Sequence, residues 1–202
     1  TTGYPGGLVY AFGYMWAGFQ PNVLRRINVS DWTYSTYTYS EMGSNLHWVG
    51  ANSNNIWITG YPGGNAPLIK VDPSNPSSYT SYSMPHGQYT DDQTVDDNYG
   101  YFVTEISPCS IDRFNISASS FTTFDFSGTG VSYGIMPWDF TNIYGESENW
   151  SVFVTQDDKI IWVEKPSVTE VNRFITTPPA DGDAPNEVVP VGDYLWVTFW
   201  EE

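Results

Sequence analysis

The sequence predicts an all-β chain folded as a β-propeller of four-stranded antiparallel blades. Three observations predict it. A short apolar strand pattern returns along the 202 residues, as Leu8-Val9-Tyr10-Ala11, Ile56-Trp57-Ile58-Thr59, Phe102-Val103-Thr104, Phe153-Val154-Thr155 and Leu195-Trp196-Val197-Thr198. The copies end about 48, 45, 51 and 43 residues apart, and a period of roughly 40–50 residues with several strands per unit is that of a propeller blade. Helix signals are lacking: no window carries apolar residues at i, i+3, i+4 and i+7 among good helix formers, and 18 Gly and 14 Pro punctuate the chain.

Each repeat reads as four strands. The pattern above supplies the first. The second is Leu24-Arg25-Arg26-Ile27-Asn28, Leu68-Ile69-Lys70-Val71-Asp72, Ile111-Asp112-Arg113-Phe114-Asn115 and a weaker Ile160-Ile161-Trp162-Val163-Glu164. Its period of two is that of a strand with one buried face. The third carries spaced aromatics, Tyr34/Tyr37/Tyr39, Tyr79/Tyr82/Met84 and Phe121/Phe124/Phe126, fading to Val171/Phe174/Thr176. Aromatic and Thr-rich alternation suits a pleated, half-buried strand. The fourth precedes each new repeat across a tight turn, as in Leu46–Val49 before Asn52–Asn55 and Glu187–Val189 before Gly192-Asp193.

The expected organisation is one domain, 1–202, with blades at about 7–55, 56–100, 101–150 and 151–193 and an extra strand at 194–200. Each meander needs a neighbour on both faces, so an open arc is unsatisfactory. Three solutions stand side by side: a four-bladed ring with a spare strand, a piece of a larger propeller, or a ring completed by another chain at an exposed edge. The hexapeptide TGYPGG occurs at Thr2–Gly7 and again at Thr59–Gly64, following a strand in the second copy. By analogy Thr1-Thr2 ends an earlier strand.

Composition narrows the partners. A formal net charge of -16, from 23 acids against 7 bases, disfavours nucleic acid and anionic membrane surfaces. Three of the seven bases, Arg26, Lys70 and Arg113, share one repeated slot, which points to a structural or solvent-edge role repeated blade by blade. No apolar run of 18 residues exists to span a membrane. The single cysteine, Cys109, forbids an internal disulfide and reads as a packed thiol. Low lysine with abundant hydroxyls and aromatics suggests an extracellular protein or one displayed on a cell or virion surface. Three N-x-S sequons, at Asn28, Asn115 and Asn149, agree with this as glycosylation candidates, the first two falling in the same repeat slot.

The pieces Pro85-His86-Gly87, Tyr133-Gly134-Ile135, Asn98–Glu105 and Asp193–Thr198 resemble the Trp-x-Thr repeat propellers, the streptogramin-lyase-like and NHL-like groups. The resemblance covers most of the chain at the level of fold. In the lyase-like group it implies a His and Glu pair holding a divalent metal near the axis, and the matching positions are His86 and Glu105. Other repeats carry Gly60, Gln156 and Phe199 where Glu105 sits, a departure from that pattern. His47 is the only other histidine.

Two acidic loops are candidate calcium sites, one with Asp91, Asp92, Asp96 and Asp97, the other with Asp181 and Asp183; neither follows EF-hand spacing, and charge runs usually face water, so each also reads as a solvated acidic loop. No other cofactor is expected. Aromatics outside the repeated slots, Tyr14, Trp16, Phe19, Trp138 and Tyr144, are ligand-contact candidates, and Trp16, Trp138 and Tyr144 lead them. The expected function is a non-catalytic propeller with a structural, assembly or adhesive role, its partners further copies of itself, other surface proteins or carbohydrate. The competing expectation is a metal-dependent lyase or hydrolase with His86, Glu105 and His47 converging on the axis.

Overall fold

The computed structural model describes residues 5–43, 46–60, 67–86, 93–103, 110–125, 134–141, 147–155, 159–164, 169–175, 184–191 and 194–200, with side chains described within the first 124. These residues are almost wholly strand. The one exception with helical geometry is a single 3-10 turn, Ser40–Met42.

Sheet one is the meander β1 (Pro5–Ala11), β2 (Tyr14–Phe19), β3 (Val23–Asn28), β4 (Tyr34–Thr38). Sheet two is β5 (Leu46–Ala51), β6 (Ile56–Gly60), β7 (Leu68–Val71), β8 (Tyr79–Tyr82). Sheet three is β9 (Thr94–Val95), β10 (Tyr99–Val103), β11 (Ser110–Asn115), β12 (Ser120–Asp125). Sheet four is β13 (Gly134–Thr141), β14 (Ser147–Thr155), β15 (Lys159–Glu164), β16 (Thr169–Ile175). A last sheet has two strands, β17 (Ala184–Val191) and β18 (Tyr194–Trp200). In every sheet the strands are neighbours in chain order, the blade topology the repeat predicts.

The structure corrects the phase of the repeat. The strand at Leu46–Ala51 opens sheet two instead of closing sheet one, and it pairs with β6. Likewise Glu187–Val189 lies in β17 and pairs with β18, so the chain ends on two strands of one sheet and not on a lone extra strand. The expected boundaries at 56, 101 and 151 therefore fall inside sheets. The cause is turn chemistry: an Asn-rich tight turn marks a hairpin within a sheet, whereas sheets are joined by longer segments such as the one holding Ser40–Met42. Leu8–Ala11 is accordingly a first strand. The partner of Ile56–Thr59 in sheet one is β2, where Trp16 faces Arg26 across the ladder as Trp57 faces Lys70.

The chain packs as two compact units, one of Thr1–Asp91, Val95–Gly100 and Phe114–Phe121, the other of Asp92–Thr94, Tyr101–Arg113 and Thr122–Glu202. In the first unit the core lies between sheets one and two. Trp16 and Leu24 meet Ile56, Ile58, Ile69 and Val71, with Tyr39, Met42 and Leu46 closing the layer. Burying each such aliphatic side chain contributes about 1.5–3 kcal/mol. Backbone approach is tight where β1 passes β5. A Cβ on Gly7 would stand 2.4 Å from Val49 N, and one on Gly6 would stand 2.6 Å from the His47 carbonyl oxygen. Only glycine allows strands that close. In the second unit Phe102 and Ile111 are buried, and Thr123 donates its hydroxyl to the buried Asp112 carboxylate at 2.5 Å.

The repeated basic slot is structural. The Arg26 guanidinium lies 4.7 Å from the Tyr14 ring centre and 6.0 Å from that of Tyr37. Lys70 Nζ sits 6.0 Å from Trp57, and the Arg113 guanidinium 5.0 Å from Phe124. Each cation covers an aromatic of its own sheet.

A candidate docking surface on the first sheet

Sheet one has two unlike faces. Val9, Ala11, Tyr14, Trp16, Leu24 and Tyr37 belong to or pack against the core. The alternating residues form the other face, and the strand register arranges them in rows. Tyr10 pairs with Met15, Met15 with Ile27 and Ile27 with Tyr34. The next row runs Leu8, Ala17, Arg25, Thr36. Leu8, Tyr10 and Tyr34 are each 60% exposed. The Arg25 guanidinium lies flat between aromatics, 4.4 Å from the Phe19 ring centre and 4.9 Å from that of Tyr34. Its Nε is buried without a hydrogen-bond partner among the described residues.

The turns at one end of the sheet carry two further exposed aromatics, Phe12 and Trp32. The β1–β2 hairpin turns through Phe12 (φ 54) and Gly13 (φ 78), and the β3–β4 loop places Trp32 at φ 59. Hydrogen bonds fix that loop: Asn28 N–H donates to Thr33 O and Trp32 N–H to Asn28 O, both at 2.8 Å. Asp31 accepts the Thr33 backbone N–H and hydroxyl at 3.0 and 2.8 Å, and these bonds hold its carboxyl below the usual carboxylate range. Phe12 is 39% exposed and Trp32 73%. Bulky side chains at positive φ are rare, because Cβ crowds the backbone.

The corresponding turns of sheets two and three are polar. Asn52 Oδ1 accepts the N–H groups of Asn54 and Asn55, and Asp96 Oδ1 those of Asn98 and Tyr99. The two hairpins are tied together: the Asn52 side-chain amide donates to Asp96 O at 3.2 Å, and Ser53 N–H to Asp97 Oδ1 at 2.8 Å.

Positional equivalence shows what is unusual about sheet one. Matching Leu24–Asn28 to Leu68–Asp72 and Ile111–Asn115 sets Ile27 against Val71 and Phe114, and Met15 against Ile56. Val71, Ile56 and Phe114 are fully or almost fully buried. The first two lie in the core shared with sheet one, and Phe114 packs on Trp57 and Tyr82, with ring centres 5.8 and 4.7 Å apart. So the face of each sheet that carries these positions is covered by the preceding sheet in sheets two and three. In sheet one the described residues of that face include the exposed Leu8, Tyr10 and Tyr34.

The candidates from the sequence fall as follows. Trp16 is a core residue of β2, not a loop aromatic: it is fully buried and its indole N–H donates to Ala11 O at 3.0 Å. Tyr14 and Phe19 also lie in β2. Trp138 lies in β13, a strand where a loop was expected, and its side chain is outside the described residues, as is Tyr144. Asp96 and Asp97 serve as turn acceptors. Asp91, Asp92, Asp181, Asp183, Glu105 and Cys109 lie outside the described residues. His86 is half-buried after β8, and His47 lies in β5 with its Nε2 2.6 Å from Gln20 Nε2. Among the described residues no three His, Cys, Asp or Glu side chains gather as a metal would require.

Asn28 and Asn115 occupy the same turn, as their shared slot predicts. Ser30 donates its N–H and hydroxyl to Asn28 Oδ1 at 3.1 and 2.9 Å, and the Ser117 hydroxyl donates to Asn115 Oδ1 at 2.9 Å. Asp72 does the same for Ser74, whose hydroxyl and N–H hold that carboxyl below the usual range. The N-x-S spelling at these two sites is thus also what the turn itself requires. Asn149 lies in β14. The exposed pair Phe12 and Trp32 escaped sequence reading, since neither stands in a repeated apolar slot.

No family model matches the sequence, and neither does any curated protein. Among solved structures, apo AztD from Citrobacter koseri, a periplasmic protein with a β-propeller fold, superimposes with a TM-score of 0.58 at 14% identity, over 85% of this chain and 47% of that one. This chain thus spans about half the length of that neighbour. At such identity the likeness speaks of fold alone. Together with the meander topology it makes the chain a β-propeller fold of four-stranded antiparallel blades.

Proposed function

We propose that this chain is an exported, non-catalytic propeller module that works by docking another protein on the exposed face of sheet one. One observation carries the reading. Leu8, Tyr10, Phe12, Trp32 and Tyr34 hold large apolar surface in water on or beside one sheet, while the opposite face of that sheet is buried. Contiguous apolar surface of this kind marks an interaction site. Export agrees with the sequons, with the hydroxyl- and aromatic-rich composition and with the periplasmic setting of the structural neighbour. No helix among the described residues is long and apolar enough to cross a membrane.

Hydroxyl-radical footprinting of the isolated chain at nanomolar concentration tests the reading. Tyr10, Trp32 and Tyr34 should oxidise as fast as fully solvated residues, and Trp16 and Trp57 should be protected. Protection of all five would show the face to be closed and end the proposal.

A further inference from the structure

We infer that Asn28 and Asn115, at the corresponding turns of sheets one and three, are the residues that carry N-linked glycans. The inference stands apart from the docking reading. In each turn the side-chain oxygen is committed and the nitrogen is left over. Asn28 Oδ1 accepts the Ser30 N–H and hydroxyl. Asn115 Oδ1 accepts the Ser117 hydroxyl at 2.9 Å and the Ala118 N–H at 3.0 Å. A backbone N–H only donates, so the bonded atom is the oxygen and the orientation of both amides follows. Neither Nδ2 makes a hydrogen bond among the described residues. Val29, Ser30 and Asp31 beside the one, and Ser117, Ala118 and Ser119 beside the other, are exposed, so a sugar on either nitrogen leaves the turn intact and enters water.

The repeat supplies a control for the sequon itself. Asp72 fills the same slot, and its carboxylate accepts the Ser74 N–H and hydroxyl at 2.8 and 2.7 Å with Pro73 between them. The turn therefore needs an oxygen acceptor and, two residues on, a hydroxyl. It needs neither an amide nitrogen nor a middle residue other than proline. N-glycosyl transfer needs both, and both are present in Asn28-Val29-Ser30 and Asn115-Ile116-Ser117. The remaining sequon residue, Asn149, lies inside β14, a strand paired on both sides, and not at such a turn. The donor is a polyprenyl-diphosphate-linked oligosaccharide. Nδ2 bonds to the anomeric carbon, the bond from that carbon to the diphosphate oxygen breaks, and the lipid diphosphate leaves with the electron pair. One Nδ2 proton passes to a base of the transferase.

The full chain, secreted from a eukaryotic host behind a cleaved leader and treated with peptide N-glycosidase in heavy-oxygen water, tests this. Peptide mapping should find the labelled carboxylate that the enzyme leaves at positions 28 and 115. Asn28→Asp and Asn115→Asp should each remove one glycan and leave the circular dichroism unchanged, as the Asp72 turn implies. Asp72→Asn combined with Pro73→Val should add a further glycan at the third turn, and Asp72→Asn alone should add none. If the chain is retained in the cell, the same mapping on its microsomal fraction gives the answer. A chain without sugar on Asn28 or on Asn115 overturns the inference, and so does sugar confined to Asn149.

Discussion

Ser53 donates its backbone N–H to the Asp97 carboxylate at 2.8 Å, joining the turn of one sheet to the turn of the next across 44 residues of chain. Hydrogen bonding from Ser53, through its side chain and backbone, holds Asp97 below the usual carboxylate range. The unfolded chain has an ordinary Asp, near about 3.9. The contribution to stability is therefore present above that value and fades as pH falls through the lower folded-state value. The site is exposed, so Asp97→Ala should cost only about 0.5 kcal/mol at neutral pH. Urea unfolding of both proteins should show this gap at pH 7 and a smaller one at about pH 3. An equal gap at both would mean that the carboxylate charge plays no part.

The Asn28 turn should depend on its side-chain oxygen and not on its amide. Asp72 fills the same slot and accepts the same pair of donors from Ser74. Asn28→Asp should thus leave the urea midpoint nearly unchanged, whereas Asn28→Ala should cost about 1 kcal/mol, the net worth of the bonds from Ser30. Since Asn28→Asp also removes the sequon, it separates turn stability from any glycan when the protein is made in a secretory host.

What was legible in the sequence was what one sheet decides locally. The Leu24–Asn28 and Leu68–Asp72 motifs were read as strands, and a strand lies at each, Val23–Asn28 and Leu68–Val71. The phase of the repeat was not legible, because the β1–β2 turn is written Phe12-Gly13, with an aromatic where an Asn or Asp would announce a hairpin. Contacts across long stretches of chain, such as Gln20 with His47 and Ser53 with Asp97, leave no local signal at all. Trp16 misled for the opposite reason: it stands outside the apolar slots assigned at first, yet in its true register it is the counterpart of Trp57.

Phe12 and Trp32 should prove to be stability defects in the isolated chain. Both sit at positive φ, where Asn is tolerated far better than an aromatic, and Ser119 takes the Trp32 position in sheet three at φ 53. Phe12→Asn creates the Asn-Gly pair favoured by a two-residue hairpin turn with both central φ values positive. Each of Phe12→Asn and Trp32→Asn should raise stability by about 1 kcal/mol in thermal melts of the monomer. A lower melting temperature for both would show that the rings pack usefully within the chain.

The close passage of β1 and β2 over β5 gives the sharpest contrast between two glycines. A Cβ on Gly18 would meet Leu46 Cδ2 at 2.1 Å and Val49 Cγ2 at 3.0 Å, atoms at the ends of side chains that can turn aside. A Cβ on Gly7 would meet Val49 N at 2.4 Å and the Trp48 backbone at 3.0 Å, and there a whole strand must move. Gly18→Ala should therefore cost about 1–3 kcal/mol, the usual range for overpacking. Gly7→Ala should exceed it, because separating β1 from β5 also loosens the layer around Leu46 and Val49 that both sheets share. Chemical denaturation of the two variants should rank them in that order. The reverse order would mean that the first strands can part without disturbing the core beneath them.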